Sequence, residues 1–175
     1  MVILGIDPGL RNTGFGVIEL KKNLVTYISS GTVSSQSNDT NADRLKDIFM
    51  GVTEVIRSYE PKYAVMEKVF VNTNPKTTLA LGQARGASLT AIALEKIPLL
   101  ELSSNEIKKS VVGNGHATKS QMQFMVKNLL NLNKEVCQDA SDALASAITL
   151  SHRLKLRHHD QPLSLIHISE PTRPI

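Results

Sequence analysis

Four carboxylates in this chain stand where an ordinary core would not put them. Asp7 lies inside an apolar run, VILGIDP, and Glu67 closes another, YAVME. Asp139 and Asp142 head a third run, in QDASDALASAITL. An unpaired carboxylate is costly to bury. On a helix, Asp139 and Asp142 fall on one face, in a first turn where the dipole favours negative charge. Each acid has a plain structural reading by itself. Asp139 suits an N-cap and Asp142 the N3 position of a capping box. Asp7 suits an Asx-turn before Pro8-Gly9, and Glu67 suits a solvated strand end. As a set they suit different chemistry. Four carboxylates meeting at one point repel and raise one another's pKa, and a divalent cation relieves that repulsion. Oxygen-only donors favour Mg²⁺ or Mn²⁺ over zinc. Two such ions about 4 Å apart can clamp the attacking water and the leaving oxygen of a phosphodiester. No cysteine–histidine zinc pattern and no GxxxxGK[ST] phosphate loop competes with this reading.

The elements that must position these acids follow from periodicity. VILGIDP reads as a strand, with Leu4 and Ile6 assigned to different faces, and Pro8-Gly9 breaks it. TGFGVIEL and LVTYISSGTV read as two more strands, the first joined to VILGIDP by a short hairpin. ADRLKDIFMGVTEVIRSYEP sets Leu45, Ile48, Val52, Val55 and Ile56 at helical spacing and stops before Pro61. YAVMEKVF is a strand, VNTNPKTT a loop, and TLALGQARGASLTAIALEKI a long helix rich in small residues. PLLELS is a short strand, and helices follow at SNEIKKSVV, at KSQMQFMVKNLLNL and from Asp139. The order β-β-β-α-β-α-β-α-α-α predicts an α/β fold with one mixed five-stranded sheet and helices on both faces.

Composition narrows the class. The 175 residues suit one domain, and 41% apolar residues suffice for a core. No apolar run reaches membrane-spanning length, so no membrane association is expected. The start, MVILGIDPG, lacks a basic secretion-signal region. Cys137 is the sole cysteine, which excludes an internal disulfide and suits a cytoplasmic location. A net charge of +4 gives a mild attraction to polyanions. Residues 1–157 are expected to form the domain and 158–175 a disordered tail. The stretch from Leu163 through Arg173 resembles a translated sequencing adapter. It is set aside from the fold, and the natural C-terminus is expected to be lost or altered beyond about Pro162.

The stretches LGIDPGLRNTGFGVI, AVMEKVF, LALGQARG, KKSVVGNGHATKSQ and QDASDALA run in order from Val2 to about His152. Together they resemble the RuvC family of Holliday junction resolvases. GIDPG alone is weak, since nuclease-like ATPases carry similar turns, but the ordered set is specific. The departures, Asn114 and His116 among them, touch no acid. The resemblance implies a ribonuclease-H-like fold, a homodimer, and Mg²⁺-dependent cutting of four-way DNA junctions, with two ions per subunit and Mn²⁺ able to substitute. It implies that Asp7, Glu67, Asp139 and Asp142 are the metal-binding catalytic acids. It also implies symmetric nicks leaving 5′-phosphate and 3′-hydroxyl ends, a preference for short sequences at the cut, and a RuvA–RuvB type branch-migration complex as partner.

Further residues are candidates for DNA contact. Lys108, Lys109 and Lys119 cluster around GNGHAT, and the resemblance implies that Lys108 and Lys119 line the junction cleft. Such lysines would position phosphate without reading sequence. Arg85 reads either as another phosphate contact or as a helix surface charge. Phe70, just past Glu67 in a chain with 4% aromatic residues, is expected to stack on an unpaired base, with a loop-anchoring core residue as the alternative. His116 is a conceivable base but is borne on a loop. Small residues at Gly82, Ala84, Gly86, Ala87 and Ser88 allow either close packing on the sheet or a two-fold helix interface. The closest enzyme alternative is a ribonuclease-H-like nuclease acting on structured RNA; those of another class are a fragment of an actin-like ATPase, for which the chain is too short, and a junction-binding protein without catalysis.

Overall fold

The structure is a computed structural model that describes residues 1–36, 38–68 and 74–160. Strands β1 (Val2–Asp7), β2 (Asn12–Lys21) and β3 (Leu24–Ser34) precede helix α1 (Asn41–Tyr59). Strand β4 (Tyr63–Glu67), α2 (Pro75–Leu94), β5 (Leu99–Leu102), α3 (Ser104–Val112), α4 (Lys119–Leu129) and α5 (Gln138–Asp160) complete the chain. This is the order predicted. The sheet runs β3-β2-β1-β4-β5. β1 pairs antiparallel with β2 and parallel with β4, and β4 pairs parallel with β5. Lys22 and Asn23, both at positive φ, close the two-residue turn between β2 and β3, the conformation that matches strand twist in a tight hairpin.

The sheet separates two cores. On one face Ile3, Ile18, Val65 and Leu102 pack against α3, α4 and α5 through Ile107, Val111, Val126, Leu144 and Ile148. On the other, Leu4, Ile6, Val17, Ala64 and Met66 meet α1 and α2 through Ile48, Val52, Ala84 and Ile92. Leu4 and Ile6 therefore share a face, contrary to the sequence reading, because a strand repeats every two residues. Asp7 follows the parity of Ile3 and Gly5, which is the face under α5.

Several boundaries differ from expectation, and both α2 and α4 end three residues earlier than read, at Leu94 and Leu129. α2 begins at Pro75, inside the stretch read as a loop. The Asn74 side chain accepts from the Lys76 and Thr77 amides at 3.0 and 3.4 Å, and Pro75 at the first helical position needs no amide partner. α5 runs on to Asp160, so residues 158–160 are helical where the tail was expected to have begun. Phe70 and residues 161–175 lie outside the described residues.

Candidate active site

The site is built at the carboxyl ends of two neighbouring parallel strands, where α/β sheets generally place their ligands. Asp7 ends β1 and Glu67 ends β4, and the register Ile6↔Met66 sets those ends side by side. On its other flank Asp7 pairs with Gly14 of β2.

Glycines bring the remaining acids in. A Cβ on Gly14 would collide with the backbone and Cβ of Asp139, one on Gly5 with the Ala143 carbonyl, and one on Gly16 with Leu144. Gly5 and Gly16 are cross-strand partners. The bare strip they form with Gly14 lets α5 rest on strand backbone, closer than any side chain allows. Ala140, Ala143, Leu144, Ala147 and Ile148 bury the underside of that helix. Asp139 is thereby seated over Gly14 next to Asp7. Asp142 lines a recess of about 230 Å³ together with Glu67, Ser104, Lys108 and Lys119.

Capping does not explain the two aspartates. The Ser141 amide donates to the Cys137 carbonyl at 3.0 Å, which makes Cys137 the cap, so Asp139 and Asp142 lie inside the helix. The Gln138 side chain, one turn earlier, favours the charged form of Asp142.

The electrostatics identify Asp7 as the centre. Burial first, then the charges of Asp142, Asp139 and Glu67, push its carboxyl up to about 7, against the pull of Lys119. Burial raises Glu67, helped by Asp142 and opposed by hydrogen bonding from Ser104 and by Lys108. Asp142 is raised by burial and by Asp139, with Lys119 and Gln138 opposing. Asp7 thus feels all three other acids. Among the described residues, no three acids, imidazoles or thiolates stand close enough to form a ready-made metal group. The donor set nonetheless fits hard divalent cations. It is all carboxylate oxygen, and burial together with mutual repulsion holds Asp7, Glu67 and Asp142 at raised pKa, a penalty that a cation would offset.

The basic candidates divide. Lys108 from α3 and Lys119 from α4 line the recess. Lys109 is exposed, with its alkyl carbons against Gly115, and is not among the residues lining it. His116 is exposed in the α3–α4 loop, its amide donating to Asn114 Oδ1 at 3.0 Å. Arg85 is neither a surface charge nor part of the recess. Its side chain, only 15% exposed, forms an ion pair with Glu101, and Nη1 donates to the Glu67 carbonyl at 2.9 Å.

Sequence reasoning missed Ser104, Gln138 and the glycine strip. Ser104 follows the capping box Ser103–Glu106, a pattern visible in SSNE. The glycines become informative only when β1 and β2 are set in register.

The chain matches a family model described as crossover junction endodeoxyribonuclease RuvC over residues 3–151. It is 50% identical over 150 residues to the protein of that name from Dechloromonas aromatica, covering 86% of this chain and 84% of the relative. It is 51% identical over 148 residues to that of Cupriavidus necator, covering 85% and 82%. Among solved structures, it superimposes on T. thermophilus RuvC in complex with a Holliday junction substrate with a TM-score of 0.83. The identity there is 27%, over 89% of this chain and 96% of that one. The yeast mitochondrial Holliday junction resolvase Ydc2 shares the fold, with a TM-score of 0.63 at 18% identity, over 90% of this chain and 81% of that one.

Proposed function

The chain belongs to the RuvC family of crossover junction endodeoxyribonucleases, and from that premise we infer how its residues do the work. It has the family's ribonuclease-H-like fold, and it is a metal-dependent nuclease that resolves Holliday junctions. Asp7, Glu67, Asp139 and Asp142 are the catalytic acids. The observation that carries this assignment is that three acids from two other elements all raise the pKa of Asp7.

In this reading Asp7, Glu67, Asp139 and Asp142 would together hold the divalent ions, with Asp7 as the central acid because it feels the other three. Bound Mg²⁺, with Mn²⁺ as substitute, would supply an activated water and stabilise the departing 3′ oxygen. The chain's own groups do the rest. Lys108 and Lys119 hold the scissile phosphate over the acids. Burial of α5 keeps Asp139 and Asp142 in place, since small misplacements of catalytic groups cost much rate. Phe70, three residues beyond Glu67, stacks on an unpaired base at the junction.

Resolution needs two nicks, and a homodimer provides two sites. Support comes from α2, where Leu79, Gly82 and Gly86 form an open stripe. Leu79 is 64% exposed, and nothing lies within 4 Å of a Cβ built on either glycine. The same reading gives symmetric nicks with 5′-phosphate and 3′-hydroxyl ends, cooperation with a RuvA–RuvB type branch-migration complex, and work in the cytoplasm. An exposed free cysteine, Cys137, fits that compartment. Among the described residues no helix is long and apolar enough to cross a membrane.

The test is to measure Mn²⁺ binding without DNA and junction cutting on the same proteins. Asp142→Asn is expected to weaken Mn²⁺ binding and to abolish cutting, with junction affinity retained. Parental binding of the ion together with parental cutting would remove Asp142 from the site.

A further inference from the structure

We infer that Arg85 is a positioning residue for Glu67, acting from the face of the sheet opposite the acids. This rests on the reading of Glu67 as a catalytic acid. Glu67 is the last residue of β4, and a strand end that leads straight into a loop holds its side chain loosely unless the backbone is tied. Two ties are present. The Lys68 amide donates to the Leu102 carbonyl at 2.7 Å, extending the β4–β5 ladder past Glu67. The Arg85 guanidinium supplies the second. Nη1 donates to the Glu67 carbonyl at 2.9 Å, and Nη2 pairs with Glu101 of β5. Glu101 is the cross-strand partner of Met66, the residue just before Glu67, so one guanidinium spans the ends of both strands.

The parity of the strands shows which side this clamp acts from. Met66 is buried in the core under α2, beside Ala84, whereas Val65 belongs to the core under α5. Glu67 has the parity of Val65, so its carboxylate faces the recess while Arg85 grips its backbone from behind. A planar fork suits this double duty, because a lysine offers a single point of charge. With Nη1 and Nη2 both committed and the side chain largely buried, the guanidinium is poorly placed to meet a DNA phosphate.

The experiment compares the parent with Glu67→Gln, Arg85→Ala, Arg85→Lys and Glu101→Gln. It reads junction affinity in EDTA across salt concentrations, single-turnover cutting at saturation, and Mn²⁺ affinity without DNA. For Arg85→Ala the affinity and its salt slope stay within about twofold, while cutting falls on the order of ten- to a hundredfold and Mn²⁺ binding weakens. Arg85→Lys recovers part of the rate. Glu101→Gln loses less, and adding it to Arg85→Ala costs nothing further, as coupled groups require. Reduced affinity with a salt slope shallower by about one would make Arg85 a phosphate contact and overturn the inference. Parental cutting by Arg85→Ala would also overturn it. If that variant does not fold, parental cutting by folded Arg85→Lys and Glu101→Gln together would do the same. Parental cutting by Glu67→Gln would instead remove the premise, a separate failure.

Discussion

At the scale of single residues, Asp7 carries the sharpest consequence. In the folded protein it keeps its proton up to about pH 7, well above the ordinary aspartate value of 3.8. Between those values the folded state binds more protons than the unfolded one. The metal-free protein therefore loses stability as pH rises through that window, and the whole penalty applies above pH 7. Asp7→Asn removes the penalty. We predict that the metal-free variant melts a few degrees above the parent at pH 8, about 1–3 kcal/mol, and that the gap closes near pH ~4, where the parent's Asp7 is protonated as well. Equal melting at both pH values would contradict the crowding of charge around Asp7. Metal binding must expel this proton, so Mn²⁺ affinity should weaken as pH falls below about 7. The lysines give a second prediction. Lys119→Ala should make the salt dependence of junction binding shallower by about one unit of slope, and exposed Lys109→Ala should change it less. The four acids were legible because each sits against an apolar run. The capping reading of Asp139 and Asp142 was not resolvable from sequence, because a shift of one or two residues in a helix start decides it. The committed hydrogen bonds of Arg85 were invisible, since both partners are distant in sequence.

At the scale of elements, the delivery of α5 to the strand ends depends on missing side chains. Gly5 meets the Ala143 backbone, which cannot turn aside as a flexible side chain would. Gly5→Ala should destabilise the protein by about 2–3 kcal/mol and should depress cutting further than stability alone explains, because α5 must lift with both acids. Urea unfolding and single-turnover cutting under conditions where the variant stays folded would check this; an unchanged rate would show that the acids tolerate a displaced helix. The order of elements was readable from periods of two and 3.6 residues. The start of α2 at Pro75 was misread because VNTNPKTT looks like a turn cluster, although Asn-Pro also marks a helix cap. Strand pairing is a long-range property, so the juxtaposition of Gly5, Gly14 and Gly16 under one helix had no local signal.

At the scale of the whole molecule, the proposed two-fold contact places the open stripe of α2 against its copy. Gly82→Arg should leave the fold intact, since nothing lies within 4 Å of the added Cβ, and should shift the protein from dimer to monomer by light scattering. A variant that stays dimeric would move the interface elsewhere. The fold class was legible as a whole because the alternation of strands and helices constrains topology strongly, whereas the dimer face was ambiguous because small residues serve sheet packing and helix association alike. One claim underlies the whole assignment, that these acids cut junction DNA with the help of a divalent ion. It is tested most directly with the chain trimmed after Pro162, mixed with a labelled four-way junction and a linear duplex in Mg²⁺, with Asp7→Asn alongside. Paired symmetric nicks in the junction by the parent, and junction binding without cutting by the variant, are the predicted result. Cutting by Asp7→Asn, or equal cutting of duplex and junction by the parent, would contradict the account.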